Sequence, residues 1–394
     1  MSGVETIQGS IGELMMKSSG GHYDVVSWDP RGVGKSTPRS TCFRTTEEDI
    51  AFWNGSLLLN GPETRGSFTS QTDLNQFYGQ IDEVDDLLTR FGKKCIAYNP
   101  NAFRYVGTAA TVRDMVAMHD IIEGPNKPIN FWGISYGTVI GMYFVNMFPD
   151  RVGRVVLDGA VNPKYWADRP AYENWPDLAQ NLKKAAVVLS NPASFNATKY
   201  KRWLTTPANI VGNQHNPRNQ PPAITTDETH MYANEAITCG DSQDARRVTT
   251  KEVFDDIIKI TREVSHMFGP IAVLSSATYC HRWPVRAVER YTGPWNKKLS
   301  NPILVLSNKV DPVTPYLSAK HVADAFGSSA VLVEQDAFGH SSLAMHSNCT
   351  SSVLERYFLH NQLPQKGLLC ETDQELFPKT GIPESIVSDM QRAN

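Results

Sequence analysis

The stretch from Lys127 to Gly159, KPINFWGISYGTVIGMYFVNMFPDRVGRVVLDG, limits the fold more than any other feature of this chain. An apolar run, a turn bounded by glycines, a mostly apolar helix stopped at Pro149 and a second β-branched run follow one another without a break. Two strands joined through a helix in this way pair in parallel. The same alternation precedes the unit. YDVVSWD (Tyr23 to Asp29) reads as a buried strand running into the Gly-rich turn PRGVGKS. TAATVRDMVAMHDII reads as an amphipathic helix with Val112, Met115, Val116, Met118, Ile121 and Ile122 at helical spacing. The alternation resumes in NPILVLSNKVDPVTP and SAVLVEQDAFGHSS, each a buried strand followed by a loop. The pattern specifies an α/β class with a mostly parallel sheet.

From about Ala160 to Pro294 the character changes. This segment is rich in Trp, Tyr, Asn and Pro and carries helices rather than strands. Its clearest element, VTTKEVFDDIIKITREVSHMFGP, opens on a capping box of Thr249 and Glu252 and is expected to stop at Gly269-Pro270. The expected organisation is a core in two parts, residues 1–160 and 295–394, interrupted by a helical lid over 161–294. A chain of 394 residues is long enough for such an insertion. A formal charge of -3 and no basic cluster with interleaved aromatics argue against a nucleic-acid partner. No apolar run approaches the ~20 residues of a membrane helix, so no membrane partner is expected either. None of the six cysteines sits in a C-x-x-C pair, which leaves zinc and redox readings weak; buried thiols and disulfides both fit. Asn54, Asn196 and Asn348 stand in glycosylation sequons, a pattern frequent by chance.

Gly133-Ile134-Ser135-Tyr136-Gly137 fits G-x-S-x-G, a serine on a sharp strand-to-helix turn. Glycines are expected on both sides because a Cβ there would strike the neighbouring strand and helix. The helix start sets partial positive charge beside Ser135, and the Tyr136 N–H points toward a developing oxyanion. A serine needs a base, and the base an orienting carboxylate, in the chain order Ser, Asp or Glu, His. Among ten histidines His340 is the best placed, in the Gly-containing loop after AVLVEQ. His346 lies in the segment beyond it, and His321 and His266 fall in helices. For the acid, Asp311 ends a strand in a Pro-bounded polar loop; Asp158 is the runner-up at another strand end, and Asp336 reads as a turn cap.

With those residues placed, the chain resembles an α/β-hydrolase of the serine peptidase family that contains prolyl iminopeptidases and tripeptidyl aminopeptidases, above all its secreted tripeptidyl-aminopeptidase-like branch. YDVVSWDPRGVGKSTP, FWGISYGTVIGMYFVNMFPDRVGRVVLDGAVNP, EAITCGDS, NPILVLSNKVDPVTP and DAFGHSSLA carry the likeness, in the family's order and over almost the whole chain. The resemblance implies a triad of Ser135, Asp311 and His340, an extracellular location and the pairs Cys42–Cys95, Cys239–Cys280 and Cys349–Cys370. Family members have three further strands before the segment matching Tyr23 to Asp29, and a Gly-rich loop that supplies the second oxyanion donor. Met1-Ser2-Gly3-Val4 matches only the tail of that loop, and VETIQGSIGELMMKS resembles the helix after it. The expectation is an N-terminally truncated sequence, lacking the first strands and a signal peptide. Its activity is then expected to suffer, since losing one oxyanion donor costs roughly 10²–10³ in rate.

The implied reaction is acyl transfer to serine and then hydrolysis, with no cofactor and no metal. The implied partners are peptide substrates with a free N-terminus, whose amine calls for a carboxylate; Glu235 and Asp241 in NEAITCGDS are the candidates, with structural pairing as the competing role. Trp166, Trp175, Trp203 and Tyr232 are candidates for a substrate cleft, or simply for the core of the insertion. An esterase or lipase on the same fold and an inactive homologue are the alternatives, because the elbow does not distinguish amide from ester.

Overall fold

Residues 155–158 and 303–308 are buried without alternation, because a parallel sheet covered on both faces carries buried side chains on both. The computed structural model of the chain describes residues 2–60, 68–174, 179, 183, 232–270 and 280–374. Among these, five strands form one sheet: β1 (Ile129–Ile134), β2 (Val152–Asp158), β3 (Ile303–Val310), β4 (Ala330–Phe338) and β5 (Leu369–Glu371). Their spatial order is β1-β2-β3-β4-β5, and every pairing is parallel. Val155, Leu157, Ile303 and Val305 face one side, packed against the helices Thr108–Glu123, Tyr136–Met147 and Tyr316–Phe326. Val156, Leu304, Leu306 and Val333 face the other, under the helix Asn348–His360. The register sets Ile134 beside Asp158 and Asp158 beside Leu306, so the C-terminal ends of neighbouring strands lie together.

Four local expectations are corrected. Tyr23 to Asp29 is not a strand: a strand exists only through a ladder, and no described residue forms one with this segment, whose Val26 is 66% exposed. The Gly-rich turn after it does form; Asp29 accepts from the Lys35 N–H at 3.2 Å, and its carbonyl from Ser36 Oγ at 2.5 Å. The helix Thr108–Glu123 buries Val112, Met115 and Val116, but Ile121 and Ile122 stand in solvent because the last turn leaves the core. The helix Thr250–Glu263 has the Thr249–Glu252 capping box and ends before Gly269-Pro270, with the Val264 and Ser265 N–H groups both closing on the Ile260 carbonyl. The expected N-terminal helix forms as two, Gly3–Gln8 and Ser10–Ser18, broken at Gly9.

Beyond the sheet lies a helical layer with its own core. Phe77 stacks on Phe254 at 4.4 Å between ring centroids, Phe91 meets Tyr232 at 4.7 Å, and Phe103 meets Trp283 at 5.3 Å. One partner of each pair comes from residues 77–103 and the other from 232–283, so the layer is built from two distant stretches of chain, the earlier one before residue 160. Two disulfides, Cys42–Cys95 and Cys239–Cys280, lie in it; the third, Cys349–Cys370, ties β5 to the last helix. All six cysteines are paired as the resemblance implied. No helix among the described residues is long and apolar enough to cross a membrane.

Candidate active site

Ser135 stands between β1 and the helix Tyr136–Met147 with φ 56° and ψ -121°, a backbone conformation that non-glycine residues adopt only where the surroundings enforce it. The enforcement is visible. The Ser135 N–H donates to the Asp158 carbonyl at 3.1 Å, and its carbonyl accepts from the Thr138 N–H at 2.8 Å and Thr138 Oγ1 at 2.6 Å. A Cβ on Gly133 would strike the Gly137 backbone and the Phe131 ring, so that glycine is required. The second glycine is not: a Cβ on Gly137 meets nothing within 4 Å. Tyr136 is the first helical residue, and N–H groups in a first helical turn have no intrahelical acceptor.

Asp311 follows β3 and His340 follows β4. His340 Nδ1 lies 3.0 Å from Asp311 Oδ2 and 3.1 Å from Oδ1. The Asp311 side chain is fully buried. Burial alone would push its carboxyl up; the bond and charge of His340, with donations from the Ser341 N–H and Thr314 Oγ1, outweigh that and hold it below the ordinary carboxylate value. The Val313 and Thr314 N–H groups both donate to Oδ1 at 2.8 Å, a local Asx turn of the sequence DPVT. On the opposite side of the imidazole, His340 Nε2 is buried with no hydrogen-bond partner among the described residues. Asn308 Nδ2 holds the histidine loop by the carbonyls of Gly339 and Ser341, at 3.0 and 2.6 Å.

Sequence reasoning missed Thr314, whose hydroxyl donates to Asp311 Oδ2 at 2.6 Å and lies 3.2 Å from His340 Nδ1. An Asp followed three residues later by Thr was the signal. The runner-up acid, Asp158, does not hold His340. Its carboxylate accepts from the Ser342 N–H at 2.8 Å and Ser342 Oγ at 2.6 Å. His346 is turned away, with Nε2 on Asn348 Oδ1 at 3.1 Å.

Both members of the acidic pair named for a substrate amine are buried. Asp241 is fully buried and accepts from the Thr108 N–H at 3.1 and 3.2 Å, from Thr108 Oγ1, and from Trp166 Nε1 at 3.0 Å. Burial raises its carboxyl, against the pull of those bonds. Thr108 Oγ1 in turn lies 2.9 Å from the Tyr136 hydroxyl, and Trp166 packs on the Tyr136 ring. Asp241 thus braces the elbow tyrosine from behind. Glu235 is only 3% exposed, on the helix Ala233–Asp241. Tyr232 is in the helical core with its hydroxyl on Asp49; Trp175 and Trp203 lie outside the described residues. No group of three His, Cys, Asp or Glu among the described residues could hold a metal.

Comparison with known proteins agrees with this architecture. A family model described as "alpha/beta hydrolase fold" matches residues 10–219, and one described as "TAP-like protein" matches residues 265–370. The chain is 24% identical over 402 residues to a tripeptidyl aminopeptidase of Streptomyces lividans, covering 88% of this chain and 70% of that protein. It is 24% identical over 442 residues to the serine protease Hip1 of Mycobacterium tuberculosis, covering 94% and 78%. It is 26% identical over 406 residues to carboxylesterase B of Mycobacterium tuberculosis, covering 89% and 74%.

Proposed function

The chain belongs to the α/β-hydrolase family, and on that premise we propose that it is a serine exopeptidase releasing short peptides from free N-termini through an acyl-enzyme. One observation carries the reading: His340 is bound through Nδ1 to a buried carboxylate and carries a free, buried Nε2, on a strand end of the sheet whose β1 delivers Ser135. In this reading Nε2 takes the Ser135 proton as the hydroxyl attacks the carbonyl carbon. Asp311 keeps the other ring proton on Nδ1 and stabilises the imidazolium. The Tyr136 N–H receives the oxyanion. The imidazolium then protonates the leaving amine, and water repeats the sequence to release the acyl group.

The peptidase assignment leans on the tripeptidyl aminopeptidase and serine protease relatives. The carboxylesterase relative supports an esterase as the second reading. The three disulfides support an oxidising, extracytoplasmic location.

A fluorophosphonate probe tests the nucleophile: it should label the wild type and not Ser135→Ala. Free and N-blocked tripeptide p-nitroanilides test the specificity. Cleavage of the free form alone supports the aminopeptidase; equal cleavage of both, or turnover of p-nitrophenyl esters only, supports the esterase. No labelling at all would overturn both and leave an inactive homologue.

A further inference from the structure

Asp158 is a buried ionisable group that the reaction above does not use. Its place is unusual. The backbone carbonyl of Asp158 accepts the N–H of Ser135 at 3.1 Å. Its carboxylate accepts the N–H and the hydroxyl of Ser342, two residues beyond His340, at 2.8 and 2.6 Å. The residue after it, Gly159, has φ 66° and sits so close that a Cβ would lie 2.9 Å from Thr314 Oγ1, 3.4 Å from Asp311 Oδ2 and 3.4 Å from His340 Cε1. One dipeptide at the end of β2 therefore touches the elbow, the acid and the loop of the base.

We propose that Asp158 is a positioning residue, which fastens the His340 loop to the strand that supports Ser135. This rests on the serine hydrolase reading. The histidine loop is attached to Asn308 on β3 and to Asp311 just beyond it. Asp158 supplies a direct route from the loop back to Ser135: side chain to Ser342, main chain to Ser135. A carboxylate suits the task because it accepts both a backbone N–H and a hydroxyl at once. Fully buried, such a group is tolerated only with donors in place. Burial pushes its carboxyl up to about 6, with the Ser342 bonds pulling the other way, so Asp158 depends on Ser342 as much as the loop depends on Asp158.

The test compares Asp158→Ala, Asp158→Asn and Ser342→Ala in the full chain, by kcat and KM on a free tripeptide p-nitroanilide and by amide hydrogen exchange of residues 339–346. Misplacement of a catalytic group by about an ångström costs roughly 10² in rate. Asp158→Ala should lower kcat by about that factor with KM little changed. Asp158→Asn, which keeps an acceptor for the Ser342 N–H, should return to within about fivefold of the wild type. Ser342→Ala should cost roughly threefold in the wild type and nothing further in Asp158→Ala, the non-additivity of a shared contact. Exchange across residues 339–346 should rise at least about tenfold in Asp158→Ala. Wild-type kcat in Asp158→Ala, unchanged exchange, or equal damage from Asn and Ala would overturn the proposal. Should Asp158→Ala not fold, the Asn and Ser342 variants decide by the same readouts. Should the wild type itself not turn over, the hydrolase reading fails, and exchange alone decides whether Asp158 holds the loop.

Discussion

The strand-end site and the helical layer are held together by different physics. Around Ser135, Asp311 and His340 most contacts are hydrogen bonds between a side chain and nearby backbone: Ser341 N–H and Val313 N–H on Asp311, Asn308 on the Gly339 and Ser341 carbonyls. Each constrains both distance and direction, and several act on the same group. The helical layer is joined by rings from distant segments, Phe77 on Phe254 and Phe91 on Tyr232, with two disulfides. Its stabilisation comes from buried area, which tolerates small displacements but depends on every large ring. The first region is built for geometry and the second for cohesion, so function and stability should separate on mutation.

The largest effect expected is on the site. Ser135→Ala should lower turnover by roughly 10⁶-fold and Asp311→Asn by about 10⁴-fold, while far-UV circular dichroism and the thermal midpoint stay near wild type. A loss of either midpoint comparable to a core deletion would break the separation. The converse is a ring deletion in the helical layer. Phe91, buried among Trp53, Tyr232 and Trp283, should cost about 3–5 kcal/mol as Phe91→Ala in urea unfolding. Below its melting point the variant should still label with fluorophosphonate at the wild-type rate. Abolished labelling in a folded Phe91→Ala would show that the layer also shapes the site.

The same contrast explains what could be read in advance. The elbow, Asp311 and His340 were legible because each lies just past an apolar run, and the strand period and the turn residues are local signals. Thr314 was half legible, three residues from the acid it serves. Asp158 with Ser342 was not, because a pair 184 residues apart meets only once the sheet register is set. Tyr23 to Asp29 misled for the same reason: β-branched composition announces a strand, but pairing makes one. In the helical layer the positions of Phe77, Phe91 and Trp283 carry no mark of each other. The bonds of Asp241 to Thr108 and Trp166 behind Tyr136 were not legible either, because those partners lie 133 and 75 residues away.

A pH series sharpens the comparison within the site, where two buried carboxylates on neighbouring strands behave oppositely. Asp158 is raised to about 6, so the native state holds its proton more tightly than the unfolded chain does. Its contribution is complete below the ordinary value of about 3.9 and is lost as pH rises through about 6. Asp311 is lowered; its contribution is present above the ordinary value and is lost as pH falls through its native value. Asp158→Asn should therefore gain on the wild type between pH 4 and pH 7, by on the order of 2–3 kcal/mol in urea unfolding. A difference that does not vary with pH would mean that Asp158 is not the desolvated group its burial describes.

A small effect is expected at Thr314, and it tests redundancy. Removing its hydroxyl as Thr314→Val leaves Asp311 with the N–H groups of Val313, Thr314 and Ser341 as well as His340. The carboxylate stays paired, and only the contact that spans Asp311 and His340 Nδ1 is gone. One hydrogen bond of that kind is worth about 1 kcal/mol, so kcat should fall roughly fivefold, KM should hold, and Thr314→Ser should restore the rate. Because donors on the same carboxylate share its load, the site should absorb this loss far better than the helical layer absorbs a missing ring. A drop in kcat beyond about 10²-fold would place Thr314 among the groups that set the histidine's geometry unaided, and the contrast between a redundant site and a non-redundant layer would then fail at its own centre.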